Sequence, residues 1–155
     1  MSLFNWGGEF EEAGMALIAG AVEGGWRMTP KDCKYTEEHE WVRPGPGDNG
    51  KIGITAYAQS QLGDIVFVEF PSVGTVVEKS GRIGEIESVK TVSDLFTPVS
   101  GEVVAVNQAV IDDPQLIKDD TYGDGWLVEL KLSKPAELDD LMNSETYDTF
   151  VAGLD

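Results

Sequence analysis

Two β-branched runs of the same form constrain what this chain can fold into. "GDIVFVEF" occupies residues 63–70 and "GEVVAVN" residues 101–107, each reading glycine, acid, a β-branched pair, one variable residue, valine and a polar end. Side chains branched at Cβ are stiff and fit a pleated surface better than a helix. The first run is continuously apolar, which predicts a buried strand. The runs start 38 residues apart, which suggests an internal pseudo-repeat. The chain's 18 glycines suit frequent tight turns better than long helices. A length of 155 residues allows one domain with a real core and hardly two.

The rest of the pattern agrees with a mainly β architecture. Residues 33–43, "CKYTEEHEWVR", are β-like with Tyr35, Trp41 and Val42 as anchors. "PGPGDNG" at 44–50 is hairpin-loop chemistry, and "KIGIT" is the return strand. Thr55 can cap a short helix, "AYAQSQL", which Gly63 would end. A final strand is expected within 123–133, "GDGWLVELKLS". Ser133 can then cap a helix with Leu138, Leu141 and Met142 on one face. Ser144 can cap another, carrying Tyr147, Phe150 and Val151. Many short strands separated by turns, with helices at the periphery, imply a compact sandwich or barrel.

Charge narrows the function classes. With 28 acidic residues against 11 basic ones the formal net charge is −17, and the acids are spread along the chain. Such a coat favours encounters with basic partner surfaces and opposes nucleic-acid binding, which needs clustered Lys and Arg. One cysteine, Cys33, excludes an internal disulfide and has no neighbour to stabilise a thiolate; one histidine, His39, offers little to a metal. No apolar run reaches the roughly 18 residues of a membrane span. The run "GMALIAGAV" at 14–22 follows Glu9, Glu11 and Glu12, unlike a secretory or mitochondrial leader. Residues 1–27 therefore read as an extension or cloning remnant before a single domain at 28–155, with Met28 a possible natural start. A cytoplasmic monomer is expected.

The segment "GEIESVKTVSDLFTPVSGEVVAVN", residues 84–107, holds one lysine in 24 positions. Ile83, Ile86, Val89, Val92 and Leu95 recur every three residues, yet β-branching and flanking glycines favour two strands with Lys90 on the bend between them. Four blocks, "KYTEEHEWV", "GITAYAQSQLGDIVFVEFPSVG", this lysine segment and "YGDGWLVELKLS", resemble the H proteins of the glycine cleavage system from about Lys34 to the C-terminus. The resemblance implies a lipoyl/biotinyl-type barrel-sandwich hybrid. It also implies a lipoyl carrier in which Lys90 takes lipoate through an amide. Glu87, Ser88, Val89 and Gly101 match the attachment motif. Biotin carriers share that fold but usually flank their lysine with methionine, where Val89 and Thr91 stand here.

The resemblance further implies a relay and its partners. A pyridoxal-phosphate-dependent glycine decarboxylase loads an aminomethyl group on the arm, a folate-dependent aminomethyltransferase unloads it, and dihydrolipoyl dehydrogenase reoxidises the dithiol. A lipoate ligase or octanoyltransferase would load Lys90. Glu40 and Asp94 are the implied acids of a cleft that shields the cationic aminomethyl arm, and Glu38 could strengthen or disturb it. His39 reads as a packed or hydrogen-bonded histidine. Family members often differ at Ala56, Lys118 and Thr121, where acid, asparagine and proline are common. An acyl relay using the same lysine, or an unlipoylated adaptor that kept the fold, are the alternatives. An independent catalyst is disfavoured, because no Ser-His-Asp or Cys-His set is present.

Overall fold

The computed structural model describes residues 29–154. The expected extension at 1–27, the apolar run at 14–22 and Met28 lie outside the described residues. Strands β1 (Lys34–Tyr35), β2 (Glu40–Pro44) and β3 (Asn49–Ile54) follow the anchors and the turn-rich loop. Helix α1 (Ala56–Leu62) comes next, then β4 (Ile65–Glu69), β5 (Val76–Val77), β6 (Arg82–Ser88), β7 (Val92–Phe96) and β8 (Gly101–Val106). Short helices α2 (Gln108–Asp112) and α3 (Leu116–Asp119) precede β9 (Val128–Leu132). A 3-10 helix (Pro135–Asp140) and α4 (Ser144–Ala152) complete the chain.

Among the described residues the strands form two antiparallel sheets and no closed barrel. Six strands are ordered β1-β2-β3-β9-β8-β5, and three are ordered β4-β6-β7. One face of each sheet packs into a shared core that includes Val42, Ile52, Val68, Ile86, Val103 and Leu130. A second cluster of Cys33, Tyr35, Trp41, Tyr147 and Val151 seats α4. There the Tyr35 and Tyr147 rings stack at 4.9 Å. Burial pushes the Cys33 thiol up to about 12, so it is a core side chain and not a nucleophile.

Helix α1 ends as its sequence signals indicate. Thr55 accepts from the Ala58 N–H, and Gly63 closes the helix at φ 79°, a left-handed value that costs glycine little. Other elements depart from expectation. The two similar runs lie in different sheets, as β4 and β8. The first is not a buried strand: Ile65 and Val68 face the core, but Val66 and Phe67 are about half exposed. A register shift between Ile65 and Phe67 turns both of these residues outward.

The C-terminal caps are also shifted. Pro135 opens a 3-10 helix after Lys134, with no side-chain cap from Ser133. Asn143, not Ser144, caps α4 by accepting from the Thr146 N–H at 2.8 Å. The last strand starts only at Val128, because the preceding residues turn around Asp120. Asn143→Ala should cost about 1 kcal/mol of stability, while Ser133→Ala should change it by less than about 0.5 kcal/mol. Urea unfolding of both variants measures the difference.

Candidate functional site

Lys90 stands on the bend that joins β6 and β7, exposed to solvent. The closing pair is Ser88 and Thr91, whose backbone N–H and C=O bond at 2.8 Å. Neither Val89 nor Lys90 has a positive φ, so the bend is not one of the mirror-image turns that suit two-residue hairpins. It is held from outside instead. The Ser88 hydroxyl oxygen accepts the N–H groups of Lys90 and Thr91 at 3.2 and 3.1 Å. The Val89 N–H donates to the Asp64 carbonyl at 3.0 Å, tying the bend to the residue after Gly63. The Lys90 stem runs close to Gly63, where a Cβ would sit 3.6 Å from its Cε. Among the described residues Lys90 enters no ion pair.

From that bend β7 runs as the edge strand of the small sheet. A cavity of about 480 Å³ opens between β7, α1 and the segment before β2, and Glu38, Glu40 and Asp94 all line it. The three acids named from sequence are thus brought together. Asp94 lies four residues along the strand from Lys90, about 13 Å at the usual rise. A lysyl side chain lengthened by a lipoyl amide has comparable reach, so the residues present fit that group.

The three carboxylates differ in environment. Glu40 is buried, at 4% exposure. It accepts from the Thr36 hydroxyl at 2.6 Å. Desolvation raises its pKa to about 7 and the Glu38 charge adds to the rise, while the Thr36 hydroxyl and the Phe96 N–H oppose it. Asp94 is half exposed and pairs with Arg82 at 2.9 Å. Glu38 is exposed, with its N–H donated to the Thr36 hydroxyl oxygen at 3.2 Å. The cleft therefore holds one buried acid poised near neutrality beside two solvated carboxyl groups.

Other named residues serve the frame. His39 lines the cleft with φ 70° and shares a 2.8 Å hydrogen bond between its Nδ1 and the Tyr147 hydroxyl. Burial lowers its pKa to about 4, which keeps the ring neutral. Gly101 lies in the large sheet, where a Cβ would collide with the Lys131 carbonyl; close strand approach explains this glycine. Glu87 is exposed on β6, directly across from Val92. Thr36, Arg82 and the Phe96 N–H were not found from sequence. Only the hairpin centre at Val89 and Lys90 could have signalled that Arg82 and Asp94 meet.

The profile of the glycine cleavage H-protein family matches residues 33–153. The chain belongs to that family. Its similarity to the Glycine cleavage system H protein of Symbiobacterium thermophilum is 53% identity over 121 residues, covering 78% of this chain and 94% of the relative. The namesake from Rhodospirillum rubrum is 50% identical over 121 residues, covering 78% and 96%. A crystal structure of the Mycobacterium marinum glycine cleavage system H protein matches with TM-score 0.73 and 40% identity, covering 80% of this chain and 99% of that one. The mainly β, lipoyl-type sandwich is thus the H-protein fold.

Within the H-protein frame, Ala56, Lys118 and Thr121 line one surface cavity of about 390 Å³ between α1 and α3. Lys118 pairs there with Asp64 at 3.8 Å. Among the described residues no His/Cys/Asp/Glu group could hold a metal. No described helix is long and apolar enough to cross a membrane.

Glu40 also links the cleft to stability. Its folded pKa of about 7 exceeds the ordinary 4.5, so the folded protein binds more protons than the unfolded chain between those values. Its contribution is favourable at low pH and is lost as pH rises through 7. Glu40→Gln should therefore raise Tm at about pH 8 by up to the equivalent of roughly 3 kcal/mol, with the gain shrinking towards pH 5. Thermal melts of both proteins across that window check the sign.

Proposed function

We propose that this chain is the lipoyl carrier of the glycine cleavage system, with lipoate joined by an amide to Nζ of Lys90. Family membership supports the role, and the observation that carries it is the isolated lysine on an externally braced bend beside an acid-lined cleft. When bound, lipoate supplies the disulfide and dithiol chemistry that takes up and returns a one-carbon amine.

The chain's own residues do the rest. Ser88 and the Asp64 carbonyl fix the bend, so the lysine projects from a rigid base that a modifying enzyme can reach. Glu40, with Thr36 on its carboxyl, offers a buried acceptor for a cationic amine. The positive charge of an ammonium beside it would lower its pKa and favour the carboxylate, the proton leaving to solvent. Asp94, anchored by Arg82, presents a second carboxylate at the open side of the cleft. Leu95, Ile86 and Leu62 on the cleft wall exclude water from a group that hydrolysis would release as formaldehyde.

On this reading residues 28–155 form one carrier domain that is not itself an enzyme and works in the cytoplasm. Its partners are the pyridoxal-phosphate-dependent glycine decarboxylase, the folate-dependent aminomethyltransferase and dihydrolipoyl dehydrogenase. A lipoate ligase or octanoyltransferase would load it. Lys90→Ala should abolish glycine–bicarbonate exchange in the reconstituted system, with Tm unchanged within about 1 °C because the side chain is exposed. Exchange retained by that variant would refute the proposal.

A further inference from the structure

The outward turn of Val66 and Phe67 leaves a surface that the fold does not use. Strand pairing aligns Phe67, Glu87 and Val92 across the outer face of the small sheet, and aligns Glu69, Glu85 and Asp94 in the next row but one. Phe67 is 51% exposed, Val92 54%, and Val89, beside the lysine, 69%. Val66, at the bulge, is 52% exposed. An apolar patch therefore surrounds the root of Lys90. Glu87, on the central strand, stands within it between Phe67 and Val92. Glu69, Glu85 and Asp94 border it on the side away from the bend, and Arg82, in register with Phe96, pairs with Asp94 at 2.9 Å.

Exposed apolar residues in one patch with a charged rim mark a protein contact surface. The sign of the rim selects a partner whose own apolar contact area is edged with Lys and Arg. Position selects among such partners. An enzyme that handles the far end of an arm can work at a distance from the bend, whereas an enzyme that acylates Nζ must cover the bend itself. Phe67 and Val92 lie in the row next to that bend, since Ile65 pairs with Ser88.

We infer that the outer face of the β4-β6-β7 sheet, centred on Phe67, is the docking surface for the basic-rimmed enzyme that loads lipoate onto Lys90. The inference rests on the lipoyl-carrier reading above and assigns the side from which the lysine is approached. Phe67 supplies the apolar anchor. Glu69 and Glu85 steer the encounter, so loading slows as salt rises.

The test measures initial rates of lipoyl transfer by a lipoate ligase, with lipoate and ATP, read as mass gained on Lys90. Phe67→Ser is expected to lower kcat/KM about tenfold, mainly through KM, as for an interface anchor. Glu69→Lys combined with Glu85→Lys should also slow loading and remove its salt dependence. Val76→Ser deletes a more exposed valine (70%) from β5 in the other sheet and should load at the wild-type rate. Driven to full loading, Phe67→Ser should support wild-type glycine–bicarbonate exchange. Wild-type loading of both face variants would overturn the inference. So would loading that is normal while exchange falls, which would give the face to the decarboxylase. Wild-type protein that takes up no lipoyl mass would overturn both this inference and the carrier reading, a result distinct from a defect confined to the face variants.

Discussion

A bend of two residues with no left-handed φ does not by itself match the twist of its flanking strands, and Lys90 sits on such a bend. Its position depends on the hydrogen bond from the Val89 N–H to the Asp64 carbonyl and on the Ser88 hydroxyl beneath it. Asp64 is placed in turn by Gly63, whose positive φ stops α1 and turns the chain into β4. One glycine, one carbonyl and one hydroxyl thus connect a helix end to the lysine. The same arrangement brings α1 alongside the edge of β7, and the space between them is the cleft.

Glu40 shows what that cleft costs. Burying a carboxyl with a hydroxyl and one N–H as partners raises its pKa and weakens the fold above neutrality. A buried acid held near its working pH is a common mark of a functional position. Glu40 also lines a second cavity, about 490 Å³, on the side of Thr36 and Lys79. Glu40 therefore borders two open spaces, with its carboxyl held by the Thr36 hydroxyl. His39 fixes the adjoining backbone through Tyr147, and Tyr147 also meets the Thr55 hydroxyl at 2.8 Å, so α4 and the start of α1 share one polar junction.

Much of this was legible in the residues. Thr55, Gly63, the turn between β2 and β3 and the bend at Lys90 are local signals, and local backbone chemistry decided them, although Pro44, Asn49 and Gly50 join the strands and leave a loop of only 45–48. The grouping of Glu38, Glu40 and Asp94 came from resemblance, because no spacing rule links residues 40 and 94 across two sheets. The exposure of Val66 and Phe67 was not legible. A continuous apolar run reads as buried, and the one-residue register shift that reverses it depends on pairing with β6. The cap at Asn143 was missed by one position, since Asn and Ser are both good caps and tertiary contacts of Ser144 chose between them. Helices α2 and α3 were overlooked although Asn107 caps the first through the Ala109 N–H; their brevity leaves almost no periodicity to detect.

The central claim is that Lys90 carries the arm. Intact mass and peptide mapping on protein purified from its native cell, grown with lipoate, test it most directly. The expected result is a lipoyl or octanoyl mass on the peptide that contains Lys90. A bare Lys90 in that material would contradict the claim and favour an adaptor that kept only the fold, and a biotin mass would contradict the reading of Val89 and Thr91.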